Sequence, residues 1–324
     1  MIVRLGARRA LVFLVLVAAL AAPSAAQIPG LRGALGRAAG RVAGQAVAER
    51  IGYADLLRRD PITTALPDAR WAAPAFALPR DAGPARPLAS LRRGDGGAFV
   101  LQPGLYEMHV QSYCLRAGTH GPGRGDGYLY APPLGPADEV VIAILQNSVR
   151  RPDIAQSDIQ QLLWAIVARA RVEDLSARLG AVAAALLTTR QLSTLNRDAL
   201  SAGVELAMQG APPLVRQTLE AEQRLRSLLT DGGSFAEMEA AAVLTGAARI
   251  GPGSRDVPAG QWSAHPDGYH VRYTPQGYKH TVVQVYVEPR GRGVGRLFDP
   301  ATHIAVPGNT SQQRLAQSAR PYGD

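Results

Sequence analysis

The chain has 324 residues, a net charge of +9 and 47% hydrophobic but only 6% aromatic residues. Its arginines are dispersed rather than gathered with aromatics on one face, which excludes the basic, stacking surface of a nucleic-acid binder. The single cysteine excludes an internal disulfide, so an oxidising compartment would add no covalent staple to this fold.

Residues 1–26 have the form of an export signal. Arg4, Arg8 and Arg9 precede a continuous apolar run from Ala10 to Ala22, and Ser24-Ala25-Ala26 is a small-residue cleavage pattern. The run is short of the ~20 apolar residues that span a bilayer, and no later segment reaches that length. The expectation is an exported protein, whether periplasmic, secreted or at the cell surface, with no transmembrane segment after the signal.

Residues 27–60 carry Ala, Leu and Val at helical spacing between arginines, with glycines that weaken the helix, and read as an amphipathic arm. Residues 61–97 hold six prolines, at 61, 67, 74, 79, 84 and 87, and read as an extended linker lying over another part of the chain. A compact unit is expected over 98–172. In it, LYEMHVQSYCL (105–115) alternates as a strand, with Tyr106, Met108, Val110, Ser112 and Cys114 on one face. A glycine-rich loop follows, then a helix over 136–147 with Pro136 at its start and Asp138 and Glu139 in its first turn.

A second helix begins at Ser157. Ile159, Leu162, Leu163, Ile166, Val167 and Ala170 recur at helical spacing along it. Residues 173–250 read as a bundle of three or four helices, broken near Asn196, at 210–213 and at 231–233. Residues 251–306 form a β element whose two strands, GYHVRYT and YKHTVVQVYVEP, are joined through Pro275-Gln276-Gly277, and 307–324 form a tail. The fold class is therefore α+β: a small α/β domain, a helical bundle and a short C-terminal hairpin.

The chemistry centres on Cys114. A nucleophilic thiol needs a histidine, a cation or a helix N-terminus to become thiolate. Six histidines are present, and His120 on the adjacent loop is the one local candidate base. His265, His270 and His280 do not match zinc-ligand spacings, and the glycine-rich loop lacks phosphate-loop patterns, so no metal or cofactor is expected.

Two further features stand together: Tyr113-Cys114-Leu115 on the strand, and Ile159-Gln160-Gln161-Leu162-Leu163-Trp164 on the helix, with Gln160 four residues before Trp164. In order and spacing they resemble the [YFL]-C and T-Q-x-A-[IVT]-W motifs of bacterial thioester domains, which occur at the tips of Gram-positive surface adhesins. Ile159 stands where the family has threonine and Leu162 where it has alanine, and the chain has no L-P-x-T-G sorting signal. The resemblance covers about residues 105–169. It implies an internal thioester between Cys114 and Gln160, shielded by Trp164 and Tyr113, that captures an amine-bearing or other nucleophilic partner covalently and without turnover.

On a helical wheel Gln160 flanks the apolar stripe and Gln161 points nearly opposite it, so Gln160 is the one able to reach a neighbouring strand. Two other readings stay open. One is a cysteine hydrolase using Cys114 with His120 or a distant histidine. The other is a structural protein in which Cys114 fills the core and Gln160 closes a capping box with Ser157.

Overall fold

The computed structural model describes residues 60–72, 76–94, 97–123, 125–198 and 213–323. The export signal, the amphipathic arm up to residue 59 and the break near 210–213, apart from Pro213, lie outside the described residues. The order is β1 (Arg86–Pro87), β2 (Phe99–Val100), β3 (Gly104–Cys114), β4 (Thr119–His120), β5 (Tyr128–Ala131), α1 (Asp138–Ser148), α2 (Gln156–Val167), α3 (Ala177–Leu186), α4 (Thr189–Asp198), α5 (Pro213–Asp231) and α6 (Phe235–Ala242). Then come β6 (Val243–Leu244), β7 (Trp262–Ala264), β8 (His270–Pro275), β9 (His280–Val287), β10 (Leu297–Phe298), β11 (Ile304–Pro307) and β12 (Leu315–Pro321). The chain is α+β. Among the described residues no helix is long and apolar enough to cross a membrane.

One eight-stranded sheet organises the molecule, in the order β5-β11-β12-β3-β9-β8-β7, with β1 parallel to β3. The sheet curls until its ends meet: the Tyr130 N–H of β5 donates to Ser263 Oγ of β7 at 2.9 Å. The strand alternation decides what the curl encloses. Tyr106, Met108, Val110 and Cys114 of β3 join Tyr128, Tyr130, Val271, Tyr273, Val283 and Val285 in one buried cluster. Tyr113 and Leu115 point the other way, into a second cluster with α1, α3 and the Ile159, Leu162, Leu163 and Ile166 stripe of α2.

This topology corrects the sequence-based partition. Residues 98–172 and 251–306 were expected as separate units and 307–324 as a tail, yet β3 is flanked by β9 on one side and β12 on the other. The polar run at 309–318 looked like loop because it lacks apolar alternation. It is buried because its polar groups are bonded: Gln313 Nε2 donates to the carbonyls of Arg116, Thr119 and Ala242, and Arg314 to those of Leu115 and Thr64. Among the described residues, the helices at 173–250 likewise close no core of their own. Leu225, Leu229, Met238 and Ala242 pack into the sheet's enclosed cluster.

The hairpin expected at 275–277 is present between β8 and β9, with Gly277 at φ +86°. Within the described parts of residues 61–97, Ile62, Leu66 and Leu88 are buried and β1 pairs with Tyr106 and Glu107.

Beneath the seam between β5 and β7 sits a cluster of rings. His303 is buried, accepts from the Tyr269 hydroxyl at 3.0 Å through Nε2 and donates through Nδ1 to the Asp299 carbonyl at 2.7 Å. His265 stacks on Tyr269 with centroids 4.2 Å apart and lies 5.1 Å from the His303 ring. Burial pushes His303 down to about 3, helped by the His265 charge, and pushes His265 down to about 4 despite Asp267. Both are neutral in the fold, whereas the unfolded chain protonates near the ordinary histidine value of about 6.5. Their stabilisation is thus present above that value and lost as the pH falls through 6 toward 4 and 3. Denaturant unfolding should weaken across that window by about 1.4 kcal/mol per pH unit for each proton taken up, and His303→Gln should reduce the slope.

Candidate functional site

The site lies where β3 outruns its neighbour. β9 pairs with β3 as far as Gln111 opposite His280, and the Ser112 N–H still reaches the Lys279 carbonyl at 3.0 Å. There the hairpin turns away. In an antiparallel strand the N–H and C=O of alternate residues face one side, so Ser112 and Cys114 present backbone groups toward the missing strand. Tyr113 and Leu115 face β12 instead, and the Leu115 N–H reaches Arg314 O at 3.1 Å. Buried peptide groups without partners are costly.

Two glutamines of α2, one turn apart, take the place of the missing strand. Gln156 Nε2 donates to the carbonyls of Ser112 at 3.2 Å and Lys279 at 2.7 Å. Gln160 Oε1 accepts the Cys114 N–H at 2.8 Å while its Nε2 donates to the Cys114 carbonyl at 3.1 Å. The Gln160 amide carbon is therefore one hydrogen bond from the residue that carries the sulfur. Gln161 turns to α3: its Nε2 donates to Ser157 O at 3.1 Å and its Oε1 accepts from Arg178 at 3.4 Å. The helical-wheel distinction between the two glutamines matches this placement. The capping box does not form, because α2 starts at Gln156 with Ala155 as its cap and no side-chain cap bond.

Trp164 is fully buried in the same cluster as Cys114, and its ring stacks on Phe235 of α6 with centroids 5.5 Å apart. Outside Phe235 comes Lys279, the one lysine of the sequence. Its Nζ lies 5.0 Å from the Phe235 ring and 5.2 Å from the Tyr278 ring, and pairs with Glu239 at 3.0 Å. The Tyr278 hydroxyl also donates to Glu239. An ammonium held by two ring faces and a carboxylate thus stands between solvent and the aromatic stack.

Two expectations are corrected. Tyr113 cannot shield Cys114, since adjacent strand residues face opposite ways; it sits in the other cluster and donates to Gln111 Oε1 at 2.8 Å. His120 does not act on the thiol either. It lies on β4, paired with β6, its Nδ1 is buried without a partner, and no hydrogen bond joins it to Cys114. The other five histidines are engaged elsewhere: His109 with His280 at 3.0 Å, His270 on the Phe76 ring, and His265 and His303 at the seam. Among the described residues no base is placed on the sulfur as a cysteine hydrolase requires.

The Cys114 thiol is fully buried and its pKa is pushed well up, first by burial and then by the Glu239 charge, with Lys279 pulling it back. It is a protonated thiol at neutral pH. No group of three or more His, Cys, Asp or Glu side chains able to hold a metal occurs among the described residues. Sequence reasoning missed Gln156, Phe235, Glu239, Tyr278 and Lys279. The signals available were a second glutamine four residues before the first and a lone lysine among arginines.

Gln160→Ala strands a buried N–H and a buried C=O and should lower the unfolding free energy by about 2 kcal/mol or more. Gln161→Ala, on the α3 side, should cost less than half of that in the same denaturant titration.

No family model, curated protein or solved structure matches this chain.

Proposed function

We propose that this is an exported protein that captures a partner covalently through an internal thioester between Cys114 and Gln160. The observation that carries the reading is the bond from the Cys114 N–H to Gln160 Oε1 within a dry, apolar cluster. That N–H polarises the carbonyl which the sulfur of the same residue would attack, and it remains in place for the oxyanion. Enforced proximity supplies much of the rest. The new C–S bond replaces the Gln160 C–N bond, and ammonia leaves carrying the thiol proton. A primary amine of the partner then reverses the roles: its nitrogen bonds to the Gln160 carbonyl carbon, the C–S bond breaks, and Cys114 regains a proton. Glu239, bonded to Tyr278 and Lys279 and close enough for its charge to act on the thiol, would take the proton of the incoming ammonium.

A structural role for Cys114 has its own support, since a fully buried thiol held in its neutral form also suits a core residue. Intact mass separates the two. The thioester reading expects the purified protein to be one ammonia lighter than its sequence and silent to maleimide. Methylamine should add its own mass at Gln160, as the N-methyl amide, and release one thiol together. Cys114→Ala and Gln160→Ala should each abolish the deficit, and Gln161→Ala should retain it. An unmodified mass with a thiol reactive only after denaturation would establish the structural role.

Glu239→Gln should slow methylamine capture by about tenfold or more while leaving the mass deficit intact. Equal rates in the variant and the parent would remove Glu239 from the exchange step.

A further inference from the structure

The alternation that turns Met108 and Val110 of β3 into the enclosed cluster turns Glu107, His109 and Gln111 to the other face of the sheet. In the register with β9, Gln111 stands opposite His280 and His109 opposite Val282. His109 and His280 are thus diagonal neighbours on that outer face, within side-chain reach of each other. Their rings meet, with His109 Nδ1 3.0 Å from His280 Nε2. The pair is open to solvent: the His109 side chain is 55% exposed and His280 is partly so.

Both rings are held in place by their neighbours. Glu107 Oε1 lies 3.5 Å from His109 Nε2, and the other oxygen of that carboxylate accepts from Gln284 Nε2 at 2.7 Å. Gln284 accepts in turn from Arg272 Nε at 2.6 Å, so a chain of cross-strand bonds over β8, β9 and β3 aims a carboxylate at the far nitrogen of His109. From beyond β12, the Tyr322 N–H donates to the His109 carbonyl at 3.0 Å, and the Tyr322 ring stacks on His280 with centroids 4.2 Å apart and planes 3° from parallel. A carboxylate on the outer ring nitrogen is the support that metal-bound histidines carry. It assigns the His109 proton to Nε2 and leaves the Nδ1 lone pair facing His280.

The spacing of the two inner nitrogens is that of a chelate. Ligands ~2.0–2.1 Å from one metal ion stand about 2.9 Å apart at a right angle and about 3.3 Å apart at the tetrahedral angle. The observed 3.0 Å falls nearer the first, the tetragonal arrangement that Cu(II) and Ni(II) prefer. Imidazole ligands suit these ions and not Mg(II) or Ca(II), which take oxygen. The other four histidines are placed differently: His265 and His303 belong to the ring cluster at the seam, His270 stacks on Phe76 at 3.8 Å, and His120 keeps its Nδ1 buried.

We propose that His109 and His280 bind a divalent late first-row ion, Cu(II) foremost, through His109 Nδ1 and His280 Nε2, with water in the remaining positions. The ion replaces the proton between the two nitrogens, and His280 takes the tautomer that carries its proton on Nδ1. Glu107 is a positioning residue, acting through His109. The site is independent of the Cys114 chemistry.

The test is calorimetric titration of the full chain with Cu(II), Ni(II), Zn(II) and Mg(II), together with electron paramagnetic resonance of the Cu(II) form. Cu(II) should bind more tightly than Ni(II) or Zn(II), with hyperfine structure from two imidazole nitrogens, and Mg(II) should not bind. His109→Gln and His280→Gln should each weaken Cu(II) binding by about a hundredfold or more, and Glu107→Gln, which loosens the support and spares both ligands, by about tenfold. His109 and Glu107 lie at the surface, so their variants should keep the metal-free Tm of the parent. Cu(II) affinity and spectrum unchanged in the two histidine variants, Zn(II) bound as tightly as Cu(II), or no Cu(II) binding by the parent would each overturn the proposal.

Discussion

A strand that continues past its partner into a dry core leaves peptide groups unsatisfied, and this fold answers with side chains. Gln160 does for Cys114 what a paired strand residue would do, donating and accepting across the same edge. That constraint fixes the height and rotation of α2 against β3. Once α2 is fixed, Trp164 lies in the enclosed cluster and its stack with Phe235 follows, as does the position of α6 that brings Glu239 beside Lys279. The candidate chemistry is therefore a by-product of hydrogen-bond accounting: the amide that completes the strand is bonded to the backbone of the residue that bears the thiol.

The same dryness works in two directions. It would protect an acyl-sulfur bond from water, and it holds the thiol in its less nucleophilic, protonated form. Of the two charges beside the site, Lys279 moderates this conflict by pulling the thiol back down, whereas Glu239 adds to it. The arginines elsewhere in the sequence could not serve alike, since an ammonium is compact and a guanidinium is a broad plane.

Much of the site was legible in the sequence because it follows from period alone. Alternation along 105–115 put Cys114 with Met108 and Val110, and the helical period separated Gln160 from Gln161, as the clusters and hydrogen bonds have them. The hairpin at Gly277 was legible from turn chemistry. What stayed hidden depends on long-range pairing. Nothing local in Asn309-Thr310-Ser311-Gln312-Gln313 says that it leads into a strand flanking β3, because its burial rests on glutamine and arginine bonds to distant carbonyls. The S-x-x-Q at 157–160 pointed to a cap for the same reason: a local use of Gln160 was visible and the distant one was not. Tyr113 was drawn into the site by motif adjacency, which strand geometry forbids.

The placement of β3 also has a consequence in time. It is drawn from the first half of the described chain, yet both its long neighbours, β9 and β12, come from residues 280–321. As the ribosome delivers the chain in order, β3 can meet the short β1 at once, but its long pairings wait until β9 and β12 have emerged. Closure of the sheet around Cys114 is thus tied to the arrival of residues 280–321, whose strands complete the one that bears the thiol.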